Sequence, residues 1–120
     1  NFILYDDFAH HPTAIAATLH AVKNKHPGKK ITTIFEVRSN SMISGAHKDN
    51  FYPSFDLTDE LYVYCTKDSH WLKNSGDFLV YQDISVIIDK IFSSIENVDV
   101  VILMSNGDTS HIINKLNKHE

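Results

Sequence analysis

Runs of β-branched and aromatic residues alternate along this chain with stretches whose apolar positions recur every three or four residues. Residues 2–5 read as a strand. Pro12 suits the first turn of a helix, where its missing N–H costs nothing, and Ala14, Ile15, Ala17, Thr18, Leu19 and Val22 supply the stripe behind it. His26-Pro27-Gly28 ends that helix. Residues 31–37 form a second strand rich in β-branched side chains, followed by a polar break at 38–40. Residues 42–55 make a weaker helical stretch interrupted near Pro53, and 61–65 a third strand. Residues 66–77 are polar, hold Trp71 and Gly76, and read as a loop. A short strand over 78–81 leads to a helix marked by Ile84, Ile87, Ile88, Ile91, Phe92 and Ile95. Residues 98–104, with an unbroken apolar run from Val100 to Met104, predict a strand buried on both faces. Ser105-Asn106-Gly107-Asp108 is a turn, and a last helix over 109–118 turns Ile112, Ile113 and Leu116 inward.

Strands that alternate with helices imply an α/β domain of Rossmann-like type, its sheet mostly parallel and covered by helices on both faces. Ligands of such sheets bind in the crevice outside the carboxyl ends of the strands. Polar clusters lie beside the predicted strand ends at 6–11, 38–40 and 105–108. If the first strand runs parallel, these clusters share one edge. If it is antiparallel, its cluster reaches the site by another route, and periodicity does not choose between them.

Composition narrows the class. The 120 residues suit one domain, and 42% apolar with 22% charged residues is ordinary for a globular protein. A formal charge of −4 speaks against a non-specific nucleic-acid binder, which needs a basic field. Lys29-Lys30, the one adjacent basic pair, reads as solvated loop. Cys65 has no second cysteine to pair with and reads as a core thiol in a reducing compartment. No apolar run approaches the roughly 20 residues that span a bilayer, and no secretory signal is visible. The chain opens on Asn1 and runs at once into Phe2-Ile3-Leu4, the expectation for a domain cut from a longer protein.

The densest polar cluster is Asp6-Asp7-Phe8-Ala9-His10-His11-Pro12, between a strand and a helix start. Its carboxylates can accept hydrogen bonds from ribose hydroxyls or cap the helix. Its imidazoles can donate to anionic oxygens, move protons, or simply be solvated. Eight histidines invite a metal reading, but adjacent His10-His11 and a lone Cys65 match no strong zinc spacing, so no metal is expected. Arg38-Ser39-Asn40-Ser41 combines a guanidinium with hydroxyl and amide donors, which suits a carboxylate or phosphate; a solvated turn is the plainer reading. At Ser105-Asn106-Gly107-Asp108-Thr109-Ser110 a glycine meets a helix start, where an anion or merely an Asp or Thr cap can sit. The chain has neither a Gly-x-x-x-x-Gly-Lys-Ser/Thr phosphate loop nor a serine nucleophile elbow.

Tyr5-Asp6-Asp7-Phe8-Ala9-His10-His11-Pro12-Thr13-Ala14-Ile15 resembles the segment that opens the C-terminal domain of the Mur ligases. Phe35-Glu36-Val37-Arg38-Ser39-Asn40-Ser41-Met42 is similar to the Glu-Pro-Arg-Ser-Asn-Thr-Met motif of the branch that recycles murein peptide. The alanine-adding branch carries a Gln-Pro-His-Arg type of sequence there. Gly45-Ala46-His47-Lys48-Asp49, Asp59-Glu60-Leu61-Tyr62-Val63, Met104-Ser105-Asn106-Gly107 and Lys115-Leu116 extend the resemblance almost end to end. Val37 stands where the family has Pro, and Asp108-Thr109-Ser110-His111 replaces a Gly-Phe-Gly-Gly stretch, which puts close backbone approach to a ligand in doubt there.

The resemblance implies a three-layer α/β/α domain with a mixed, mainly parallel sheet of five or six strands, the first antiparallel. It implies a cytoplasmic three-domain parent that activates a carboxylate with ATP and Mg2+ as an acyl phosphate and then admits an amine. For the recycling branch, UDP-N-acetylmuramate is joined to L-Ala-γ-D-Glu-meso-diaminopimelate. The UDP-sugar and the phosphate loop belong to the other domains, so the isolated domain is expected to be inactive, with no catalytic residue, ATP or Mg2+ of its own. Within the domain, the resemblance places Asp7 at the ATP ribose and Phe8 and His10 near the incoming amine. It places Arg38, Ser39 and Asn40 at the peptide carboxylates, while Ser105, Asn106 and Gly107 form a further candidate turn. The alternatives are the alanine-adding branch and a stand-alone Rossmann-like binding module.

Overall fold

The protein is described here by a computed structural model that covers residues 2–38, 48–66, 80–93 and 98–118. The sheet is built from β1 (Ile3–Asp7), β2 (Ile31–Glu36), β3 (Glu60–Tyr64), β4 (Val80–Tyr81) and β5 (Val100–Met104). The helices are α1 (Pro12–Lys25), α2 (Lys48–Phe51, continued by a 3-10 turn Tyr52–Phe55), α3 (Ile84–Phe92) and α4 (Ser110–Asn117). The strand order is β1-β5-β2-β3-β4. Every pairing is parallel.

Period-two alternation divides the core cleanly between the faces of the sheet. Val100, Ile102 and Met104 of β5 join Ile31 and Phe35 of β2 and Val63 of β3 beneath Ile15, Leu19 and Val22 of α1 and Phe51 of α2. Val101 and Leu103 of β5 and Ile34 of β2 face the other way, onto Ile84, Ile87, Ile88 and Ile91 of α3 and Ile112 and Leu116 of α4. β5 is therefore buried along its whole length. Cys65 lies in the first cluster as a buried thiol.

Local chemistry accounts for the element ends. Pro12 opens α1, and Gly28 takes φ +78 in the turn after it, a left-handed conformation that glycine adopts without a Cβ penalty. At the amino edge, Asp59 Oδ2 accepts the Ile31 N–H at 2.7 Å and Asp99 Oδ2 accepts the Lys30 N–H at 3.0 Å. These carboxylates satisfy backbone donors that a parallel sheet leaves open where its strands begin.

The structure corrects several expectations. β1 is parallel, not antiparallel: Ile3 pairs with Val100 and Asp7 with Met104 in an ascending register. The described sheet has five strands and no antiparallel member. In α1 the stripe is narrower than expected, since Ala14 and Ala17 are exposed. Within the weak helix expected over 42–55, the described part is helical over Lys48–Phe51 and tightens to 3-10 geometry at Tyr52, where Pro53 cannot supply an N–H. Its first part, most of the 66–77 loop including Trp71 and Gly76, and Ile95 lie outside the described residues.

Ile102 is wholly buried at the middle of the central strand, whereas Ile3 on the outer strand is 45% exposed. Ile102→Ala is expected to lose about 2–5 kcal/mol of stability, and Ile3→Ala about 0.5 kcal/mol. Urea unfolding of both variants checks this; equal losses would contradict a core centred on β5.

Candidate functional site

The parallel setting of β1 carries the polar clusters that follow β1, β2 and β5 to the same edge of the sheet. Ser105 N–H donates to the Asp7 carbonyl at 3.0 Å, extending the β1–β5 pairing one step beyond the strands. Val37 N–H donates to the Tyr64 carbonyl at 2.9 Å and does the same for β2 and β3. Proline at position 37 would lack that donor, so the departure from the family pattern adds a sheet hydrogen bond and a buried side chain.

Asp7 does not cap α1. Its Oδ2 accepts the Ala9 N–H at 3.1 Å and the Thr18 hydroxyl at 3.0 Å, tying the loop to the flank of the helix. The N-cap position is occupied by His11 in extended conformation without a side-chain cap. Asp6 Oδ2 accepts the Thr109 hydroxyl at 3.0 Å, which joins the end of β1 to the start of α4. Between these anchors Phe8 stands 73% exposed. His10 Nδ1 lies 2.9 Å from the Phe8 carbonyl, and its ring meets that of His11 edge-on at 5.8 Å.

The second part of the edge is organised by Glu36. This carboxylate ends β2 and is only 8% exposed. Its Oε1 accepts the Ser105 hydroxyl at 2.6 Å, and its Oε2 lies 3.8 Å from Arg38 Nε. Ser105 Oγ also accepts the Gly107 N–H at 3.1 Å. The Arg38 side chain crosses directly over Gly107: a Cβ there would come within 1.7 Å of Nη1 and 2.5 Å of Cζ. The glycine is thus needed for a close approach, but the group that approaches is the guanidinium.

Arg38 lines a cleft of about 270 Å³ together with Glu36, Val37, Tyr64, Thr66 and His111. Burial, with the carboxylates of Glu36 and Asp83 behind it, pushes the Tyr64 hydroxyl above its ordinary range, and Arg38 opposes them. Hydrogen bonds from the Ser110 hydroxyl and N–H hold the Asp108 carboxyl below the usual range, with smaller help from His111 and Arg38. Tyr64 and the neutral face of the cleft can donate hydrogen bonds, Arg38 supplies a fixed positive charge, and the combination suits a carboxylate or phosphate.

Sequence-predicted residues therefore fall into two groups along one edge. Asp7, Phe8 and His10 belong to the loop after β1; Arg38, Ser105 and Gly107 meet around Glu36, with Asn106 exposed on the turn. Asp7, Phe8 and His10 do not line the Arg38 cleft. Ser39 and Asn40 lie outside the described residues. Sequence reasoning assigned no role to Glu36, Tyr64, Thr66 or His111. Only Glu36 carried a signal, as an acidic residue closing an otherwise uncharged strand. Among the described residues, no three His, Cys, Asp or Glu side chains converge where a metal ion could be held.

Because the clash at Gly107 involves the far end of a flexible side chain, Gly107→Ala should displace the guanidinium and leave the fold standing. The expected stability change is within about 1 kcal/mol, while a crystal structure of the variant should show Arg38 moved off residue 107. A guanidinium that keeps its place over Ala would contradict this packing.

Comparison with known proteins identifies the family. The family model described as "Mur ligase, glutamate ligase domain" matches residues 1–107. The UDP-N-acetylmuramate–L-alanyl-γ-D-glutamyl-meso-2,6-diaminoheptandioate ligase of Escherichia coli is 35% identical over 94% of this chain and 26% of its own. The UDP-N-acetylmuramate–L-alanine ligase of Leuconostoc mesenteroides is 36% identical over 82% of this chain and 22% of its own. The crystal structure of a murein peptide ligase from Psychrobacter arcticus superposes with a TM-score of 0.75 at 31% identity, covering 96% of this chain and 26% of that one. This chain thus spans about a quarter of the length of such relatives. With its parallel α/β sheet and the polar carboxyl edge it creates, the chain belongs to the Mur ligase family, as a Mur ligase glutamate ligase domain.

Proposed function

We propose that this chain is the C-terminal, peptide-binding domain of a cytoplasmic ligase that joins UDP-N-acetylmuramate to L-Ala-γ-D-Glu-meso-diaminopimelate in peptidoglycan recycling. The observation that carries the reading is the Arg38 cleft. It sets a guanidinium on the carboxyl edge, held against Glu36 and Gly107, in the motif shared with the murein-peptide branch. A tripeptide rich in carboxylates is the substrate such a cation fits, since a planar fork can pair a carboxylate bidentately.

ATP, with Mg2+, supplies the activation of the sugar carboxylate to an acyl phosphate in this family. On this reading the metal's ligands come from the phosphate-loop domain of the parent; among the described residues of this chain no three His, Cys, Asp or Glu side chains converge to hold one. Asp7 fits the ribose better. Oδ2 is fixed by Ala9 and Thr18, and an ionised carboxylate has about four lone-pair sites, which leaves acceptor capacity for hydroxyl groups. Phe8 and His10, presented on the same loop, would border the incoming amine, and Arg38 would hold the peptide's carboxylate and so orient that amine. None of these residues performs the chemistry without the other domains, and the 120-residue chain alone is expected to turn over no ATP.

The alanine-adding ligase is the second reading, favoured by the 36% identity to the Leuconostoc enzyme. Glu36-Val37-Arg38 weighs against it. The two readings separate on the acceptor: the complete protein should use the tripeptide and not free L-alanine.

Arg38 is the position to test. Arg38→Ala in the complete protein should weaken tripeptide binding by about 2–5 kcal/mol, tens to thousands of fold in the Michaelis constant. Arg38→Lys should also be impaired, because it keeps the charge and loses the fork. The constants for ATP and UDP-sugar should change far less. Steady-state kinetics decide the matter: if both variants handle tripeptide like the parent, Arg38 is a solvated turn residue and the peptide site lies elsewhere.

A further inference from the structure

We infer that Glu36 is the positioning residue for Arg38: a buried carboxylate whose task is to hold the guanidinium in one orientation for the substrate carboxylate. The kinetic part of this inference rests on the peptide-binding reading of Arg38. The geometric part does not.

Three observations carry it. First, Glu36 is buried to 8% exposure at the end of a strand, a costly place for a carboxylate unless charge and hydrogen bonds surround it. Second, its two oxygens have different neighbours. The Ser105 hydroxyl donates to Oε1 at 2.6 Å and spends its only proton there, while Ser105 Oγ accepts the Gly107 N–H at 3.1 Å. Oε2 is left 3.8 Å from Arg38 Nε. Third, the other end of the guanidinium is confined by contact with Gly107, where even a methyl group would not fit beneath Nη1.

Together these fix the direction of the fork. Nε is turned to Glu36 and Nη1 packs over Gly107, while the side chain as a whole lines the cleft. Arg38 is still 43% exposed, so without the carboxylate its long side chain would sample many rotamers. The chain from Gly107 N–H through Ser105 Oγ to Glu36 and Arg38 links β5 to β2 with rigid parts at both ends. It also explains why a strand so apolar ends on an acid.

Arg38 is the only arginine in the chain, so its Nε–Hε group gives a single, unambiguous NMR signal. In the 120-residue chain that signal should be sharp and shifted from free arginine. Glu36→Gln keeps size and an acceptor for Ser105 but removes the charge, and it should return the signal toward the free position. Should that variant fail to fold, the parent signal itself is decisive, because a free-arginine shift would overturn the inference.

Kinetics in the complete protein give the second arm. Glu36→Gln should raise the tripeptide Michaelis constant roughly 5- to 100-fold, the range of coupled neighbours, with kcat and the ATP constant changed less than about twofold. In an Arg38→Ala background the same substitution should add nothing. A purely structural role would instead impair every substrate and act additively with Arg38→Ala, and that result overturns the inference. If Arg38→Ala hurts tripeptide use while Glu36→Gln does not, positioning fails and the peptide-binding reading stands. If Arg38→Ala is silent but the NMR signal moves on Glu36→Gln, the geometric inference stands and the peptide-binding reading fails.

Discussion

The insertion of β5 between β1 and β2 is the constraint on which the rest of this domain depends. A strand that enters last in sequence sits in the middle of the sheet, pairing in parallel with both neighbours. It can do so because Val100 to Met104 is apolar on both faces and tolerates burial on both. The register it imposes, Asp7 opposite Met104 and Phe35 opposite Met104, brings the ends of β1 and β2 level with its own. The segments that leave those strands are thereby placed side by side. The hydrogen bonds Asp6–Thr109, Asp7–Ser105 and Glu36–Ser105 are consequences of that alignment, each joining the turn after β5 to a neighbouring strand end.

Ser105 is the meeting point. Its backbone N–H is given to β1, its hydroxyl proton to the last residue of β2, and its oxygen to the turn that opens toward α4. At 2% exposure no solvent competes for these bonds, so the hydroxyl sets the position of Glu36 within narrow limits. The carboxylate in turn neutralises part of the charge of Arg38. A guanidinium already facing one carboxylate is less attractive to a second, yet it is pre-oriented, and pre-orientation lowers the entropy lost on binding. An exposed arginine without such a partner would have the opposite balance: stronger field, less definition.

The layers were legible in the sequence because they follow from periodicity. Ile84, Ile87, Ile88 and Ile91 at helical spacing all proved buried, and the unbroken apolar run of β5 placed it at the centre. The direction of β1 was not legible. Five residues of mixed exposure read the same way up or down, and only pairing with β5 decides. The expectation drawn from family resemblance was antiparallel; the alternative left open by the residues themselves, one shared edge, is the one the structure shows. Site residues divide along the same line. Arg38 and Gly107 could be singled out by chemical type, but their contact spans strands far apart in sequence and has no local signature. Tyr64 and His111 looked like strand and helix residues, and they line the cleft only because β3 and α4 flank β2 and β5.

The two departures from the family pattern also read differently once the geometry is known. At position 37 a valine restores an N–H that proline lacks, so β2 and β3 stay hydrogen-bonded one residue further toward the cleft. That extra bond ties the backbone immediately before Arg38 to β3. At 108–110 the missing glycines are replaced by an aspartate that accepts both the N–H and the hydroxyl of Ser110, the first residue of α4. The second change exchanges glycine's backbone freedom for fixed hydrogen bonds, while the first gives up proline's fixed φ and gains a sheet hydrogen bond. On the proposed reading, this relative would present its peptide-binding cation on a more rigid edge than a glycine-rich turn provides, with adaptability left to the exposed loop that carries Phe8 and His10.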